Sequence, residues 1–400
     1  MRGQPSRGVA RWTLLLSTVA LLWGCAADDP ATQRVTRARK GSGELVLAAV
    51  WPWQLRKEIR YGEGLQMAVD EANAAGGVNG RPLRIARYDD EETIDRSRVV
   101  AQEIAADPEV VAVIGHLQSY TTVEAATVYD QAGLVLVAPT ATDPELTSRG
   151  YRRVFRATFT DSSVGRQLAE FVAARQLKRV AVCYIRNNYG RNVANEFESR
   201  ALQLGLSIVA RSSYDSSAQA SERTFQQTLL EWKPIELDAI VIAGEVPAAA
   251  ILVSEARKAG IQALIIGGDA MSSPGLMAVA GQAAEGVMVA SFFHAQEPRP
   301  EIPEFTAAFT KKYGVPPDAG SALGYDCVRL LVHAMRRAGS AVPDDVAREV
   351  HALTGWKGVT GTFSFDERGD IPGKSVVMST VRDGAFTYLT TLTAPAIQRQ

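Results

Sequence analysis

Short runs of consecutive apolar residues alternate along this chain with longer stretches in which apolar positions return every three or four residues. The first pattern belongs to strands buried on both faces, the second to amphipathic helices. Residues 44–50 are one such run, and 62–73 then place Leu65, Ala68, Val69 and Ala72 on one helical face. After the turn Gly76-Gly77-Val78-Asn79-Gly80 come a strand at 83–88 and a helix at 95–106. A second series starts near Asp161. Helices at 161–175, 190–204, 221–231 and 247–259 alternate there with strands at 179–185, 206–211, 239–242 and 263–266, and a further strand spans 286–290. The chain then turns helical over 302–313, 319–338 and 344–353. It ends in strands at 361–365, 375–381 and 385–392, the last two joined by the tight turn Arg382-Asp383-Gly384. Alternating strands and helices predict an α/β fold with parallel sheets, and two series predict two lobes. Ligands of such sheets bind beyond the carboxyl ends of the strands, so the cleft between the lobes is the expected site.

Two strand-to-helix junctions in the first series are built alike. One runs from the strand at 110–114 through Gly115-His116-Leu117-Gln118-Ser119-Tyr120 into a helix. The other runs from the strand at 134–138 through Pro139-Thr140-Ala141-Thr142-Asp143 into Pro144-Glu145-Leu146. Both loops are rich in hydroxyls, and both open a helix whose first N–H groups are free. Together they can hold a small anion such as a carboxylate. Read alone, Ser119 and Thr142 serve equally as helix caps.

The 400 residues are 46% hydrophobic and 22% charged, which suits a soluble two-domain protein with a sizeable core. Arg2, Arg7 and Arg11 precede an apolar run at 12–22 that is short for a bilayer span, so residues 1–24 read as an export signal. Its removal leaves 40 basic against 44 acidic residues, no footprint for nucleic acid. The run ends Leu22-Trp23-Gly24-Cys25-Ala26-Ala27, which resembles the lipobox of bacterial lipoproteins and makes Cys25 the lipidated residue. An ordinary cleavable signal is the alternative. Residues 25–43, polar and small with basic residues from Arg34 to Lys40, read as a flexible, solvated tether. Cys183 and Cys327 fall in apolar stretches and read as buried free thiols. His116, His294, His333 and His351 are scattered, no Cys/His spacing suggests a metal, and Gly267-Gly268 lacks the dinucleotide fingerprint; no cofactor is expected.

Several segments in order carry a family likeness: 70–80, Tyr88-Asp89-Asp90-Glu91, Val113-Ile114-Gly115-His116, Pro144-Glu145-Leu146-Thr147, Asn188-Tyr189-Gly190, Ala283-Ala284-Glu285-Gly286 and 365–370. With them the chain resembles, over 44–392, the type I periplasmic binding proteins that serve branched-chain amino acid ABC transporters. The resemblance implies two Rossmann-like lobes joined by three crossovers near 158, 290 and 376. Lobe 1 would comprise 44–158 plus 290–376, and lobe 2 would comprise 159–289 plus 377–392, with 393–400 as a tail. It implies capture of an amino acid without turnover, and delivery to a permease.

The family's ligand positions map onto Ser119 for the carboxylate, Thr142 for both carboxylate and ammonium, Thr140 where a backbone group serves, Tyr189 from the second lobe, and Asp269 where a glutamate pairs with the α-ammonium. Glu245 or Val246 stands where an aromatic residue is common, so Glu245 adds a charge near the pocket. The segment 50–55 replaces a small loop, and Trp51 and Trp53 become candidate pocket walls. Where some members carry a disulfide, this chain has Glu91 and Gln118. Apart from the likeness, Tyr189 reads as a surface aromatic, Asp269 and Glu245 as capping or solvated acids. A ligand-sensing module of the same fold is the alternative function. An enzyme is disfavoured, because Ser119 lacks a GxSxG elbow and sequence-evident His/Asp partners.

Overall fold

The computed structural model describes residues 29–215 and 218–393. The expected signal at 1–24, Cys25 and residues 394–400 of the tail lie outside the described residues. The first sheet holds β1 (Leu45–Val50), β2 (Leu83–Tyr88), β3 (Val110–Ile114), β4 (Val135–Ala138) and β5 (Val154–Arg156), all parallel, in the order β2-β1-β3-β4-β5. Every residue of β1, β3 and β4 is buried. This is why their sequences read as unbroken apolar runs.

The second sheet draws on two stretches of chain. β6 (Arg179–Ile185), β7 (Ser207–Tyr214), β8 (Ala239–Ala243), β9 (Leu264–Gly267) and β10 (Met288–Ser291) are parallel. After a small hairpin of β11 (Trp356–Gly358) and β12 (Gly361–Phe363), β13 (Val376–Arg382) and β14 (Ala385–Leu392) return to it antiparallel. The order is β14-β13-β10-β9-β8-β6-β7. Between β10 and β13 the helices Glu301–Tyr313, Ala319–Ala338 and Pro343–His351 cover the first sheet, with Phe305, Leu330 and Val346 in one core with Leu45, Leu47 and Val135. The chain thus passes between the lobes after β5, after β10 and before β13. Phe159 and Phe292, on the first two passages, stack with centroids 4.8 Å apart.

The expected tether is corrected. Pro30–Arg39 is a helix capped by Asp29, whose carboxylate accepts the Thr32 N–H at 3.2 Å. Arg34 is 1% exposed. Its guanidinium donates to the carbonyls of Val110 (2.7 Å), Ala132 (2.8 Å), Ala105 (2.9 Å) and Asp107 (3.0 Å). Ala105 and Asp107 end the helix Ile94–Ala106, and Ala132 caps Ser119–Gln131. The cation therefore sits on the negative ends of two helices and fills carbonyl valences that those helices leave open.

The helix Tyr61–Ala74 meets Ala319–Ala338 at Gly64, where a Cβ would stand 1.9 Å from the Ser321 carbonyl oxygen. Backbone lies on backbone, so Gly64→Ala must push the helices apart. It is expected to cost about 1–3 kcal/mol, the range for overpacking, read as a lowered urea midpoint. An unchanged midpoint would show that the pair parts without cost.

Candidate functional site

A cavity of about 420 Å³ lies where the carboxyl ends of the two sheets face each other. Lobe 1 contributes the loops after β1, β3 and β4; lobe 2 contributes those after β6, β8 and β9. Six of the seven expected ligand residues line it: Ser119, Thr140, Thr142, Tyr189, Glu245 and Asp269.

The two hydroxyl junctions interlock. Ser119 opens the helix Ser119–Gln131, and its Oγ accepts the N–H groups of Thr142 (3.1 Å) and Asp143 (3.3 Å). A hydroxyl has two acceptor sites and one hydrogen. With both acceptor sites used by the neighbouring loop, Ser119 has its hydrogen left to give. Thr140 is the reverse case. Its hydroxyl donates to the carbonyls of Leu117 (2.6 Å) and His116 (3.1 Å), so it ties the loops together and has no hydrogen left for a ligand carboxylate.

A buried chain unnoticed in the sequence holds this wall. Asp90 meets His116 Nδ1 at 2.7 Å, and His116 Nε2 meets the Tyr129 hydroxyl at 3.1 Å. All three are fully buried. The signals were the segments Tyr88-Asp89-Asp90-Glu91 and Val113-Ile114-Gly115-His116, to which no role was attached. Asp161 was also missed. It begins a lobe-2 helix, and its N–H donates to the Thr142 carbonyl (2.9 Å), linking the lobes beside the cavity. Burial raises its carboxyl to about 7, against the lowering effect of Thr142 and Asn192.

In lobe 2 the Tyr189 hydroxyl donates to Asp269 Oδ1 (3.1 Å) and accepts the Ala270 N–H (3.3 Å). Gly268 allows this, since a Cβ there would come within 2.4 Å of that hydroxyl. Burial lifts the Asp269 carboxyl to about 6; its own backbone and Tyr189 pull it down, and the Glu245 charge pushes it up. Glu245 follows β8 and accepts from Asn187 Nδ2 at 2.8 Å. Burial raises it as well.

Trp53 does not wall the cavity. Its indole N–H donates to the Tyr88 carbonyl (2.9 Å), and the Arg87 guanidinium lies 4.7 Å from its ring. Both indoles pack on the Tyr61 ring, with centroids 4.0 Å away for Trp51 and 5.9 Å for Trp53, but only Trp51, 1% exposed, lines the cavity. Cys183 and Cys327 are free and buried, as expected.

Residues 59–385 match the family model described as periplasmic binding protein. The chain is 30% identical over 317 residues to the leucine-, isoleucine-, valine-, threonine- and alanine-binding protein of Pseudomonas aeruginosa, which covers 78% of this chain and 83% of that one. It is 29% identical over 320 residues to the Leu/Ile/Val-binding protein of Escherichia coli, covering 78% and 84%. Among solved structures, an ABC transporter substrate-binding protein from Desulfitobacterium hafniense in complex with Leu superposes with TM-score 0.78 at 36% identity, over 86% of this chain and all of that one. A branched-chain amino acid transporter substrate binding protein from Streptococcus pneumoniae in complex with isoleucine superposes with TM-score 0.79 at 25% identity, over 88% and 99%. The expected two-lobed α/β fold is borne out, and the chain belongs to the periplasmic binding protein family, with its type I fold.

Proposed function

We propose that the protein captures an amino acid, branched-chain or related, between its lobes and delivers it to an ABC permease without chemical turnover. The observation that supports this most is the facing pair in the cavity: a Ser119 hydroxyl with a hydrogen to give on lobe 1, and a buried Asp269 carboxyl on lobe 2. An α-amino acid zwitterion has one group for each. Bound between them it contacts both lobes and favours the closed form by its differential affinity. In this reading lobe 1 is 44–158 plus 290–376, lobe 2 is 159–289 plus 377–392, and the ligand residues are Ser119, Thr142 and the Thr140 backbone with Tyr189 and Asp269. The relatives' names place their ligands among the aliphatic amino acids and threonine. The export signal and Cys25 further suggest a lipid-anchored protein outside the cytoplasm.

Calorimetric titration with each of the twenty amino acids tests the reading. One or a few should bind at one site per chain with no product formed; silence from all twenty would remove the amino acid. Mass spectrometry of the membrane-extracted protein checks Cys25, which should carry the acyl mass and lose it in Cys25→Ser.

The pH dependence has a definite sign. The ammonium needs Asp269 ionised, and the free carboxyl titrates at about 6. Affinity should be full above that pH and fall as pH drops through it, approaching about tenfold per unit. Titrations at pH 7.5 and 5 read this directly. Equal affinity at both would place the ammonium elsewhere.

A further inference from the structure

Most polar groups in the cavity are already matched. In the amino-acid reading Ser119 serves the ligand carboxylate, Thr142 both its carboxylate and its ammonium, and Tyr189 and Asp269 the ammonium. Arg56 is held by both oxygens of Glu92 (2.6 and 3.2 Å), and Glu92 also takes Gln118. Asp318 caps the helix Ala319–Ala338 through Ser321 N–H (2.8 Å) and accepts from Arg60 N–H (3.0 Å). Glu245 is different. Its carboxylate has one hydrogen-bond partner, Asn187, and among the described residues no cation stands within 4.0 Å of it.

Its backbone is rigidly placed. Gly244 packs so closely under the Tyr214 hydroxyl that a Cβ would lie 2.0 Å from it. The Glu245 carbonyl accepts the Ala249 N–H (2.9 Å) at the start of the helix Ala248–Lys258. This carboxylate shares the cavity with apolar walls, Trp51, Leu117, Val246 and Phe292. When the lobes close on a purely aliphatic side chain, Glu245 loses water and gains no hydrogen bond in return; the Arg56 charge, already paired with Glu92, acts on it only at a distance. A side chain that ends in a donor supplies the missing bond, worth about tenfold or more in affinity for a charged acceptor.

Resting on the amino-acid reading above, we infer that Glu245 selects the ligand side chain, favouring amino acids that end in a hydroxyl, amide, ammonium or guanidinium over aliphatic ones of the same shape. The carboxylate disfavours acidic side chains for the same reason.

Isosteric pairs test this by calorimetry on the full mature chain: threonine against valine, glutamine against methionine, lysine against norleucine. In the wild type at least one donor-bearing member should bind about tenfold or more tightly than its partner. Glu245→Leu should abolish that preference, and Glu245→Gln, which keeps the shape and one acceptor, should reduce it. Aliphatic members binding tighter in every pair would overturn the inference. So would an equal loss for all ligands in Glu245→Leu, which would make Glu245 a closing contact between lobes and not a selector. If aliphatic amino acids bind and no preference moves, only the selection fails; if no amino acid binds at all, the underlying reading fails with it.

Discussion

Asp269→Asn is expected to weaken amino acid binding by about 2–5 kcal/mol, the range for removing one partner of a buried charge pair. The free protein should not suffer. The Asp269 carboxyl is raised to about 6, so the native state holds its proton more tightly than the unfolded chain does. A group shifted this way stabilises the fold at low pH and costs stability as pH rises through the window between its ordinary value and about 6. At pH 7.5 the ionised form is thus a burden that asparagine lacks, and the bond from Tyr189 can persist to its amide oxygen. Calorimetry should show affinity lost while thermal unfolding of the free protein stays level or rises. Binding at wild-type strength would mean that the ammonium is held by another group.

The second large effect concerns stability. Arg34→Met should lower the unfolding free energy by about 2–4 kcal/mol, because four carbonyls lose a charged donor in a buried setting. Arg34→Lys should restore little of it. The planar guanidinium reaches carbonyls from β3 and the ends of two helices at once, and a single ammonium cannot. Urea unfolding of the three proteins measures the difference. A lysine variant as stable as the wild type would show that charge alone, not the fork, holds this helix.

That helix marks where the sequence was hardest to read. The strands of both sheets announce themselves because both faces are apolar, so Val110–Ile114 and Ala239–Ala243 are continuous runs. Pro30–Arg39 is polar, and it docks through a cation meeting backbone oxygens. No side-chain pattern encodes such a partner. The ligand positions divide along similar lines. The proposed ligand residues Ser119, Thr142, Tyr189 and Asp269 follow strand ends and line one cavity, where a likeness in order and spacing points. Trp53 failed because its indole N–H is tied to the Tyr88 carbonyl and its ring to Arg87, partners that no local pattern shows. The unused hydrogen of Ser119 follows from two backbone N–H groups of a distant loop, and the chain from Asp90 through His116 to Tyr129 joins residues that no local pattern links.

The passages between the lobes also dictate when this protein can become whole. The second sheet lacks β13 and β14 until residues 376–392 are present, and the first sheet lacks its covering helices until 301–351 are. Neither half can be finished while the last quarter of the chain is still unmade. Such distant pairings form slowly. For a chain destined for export, a slow and late completion keeps it threadable, and the fold closes only once its end has arrived.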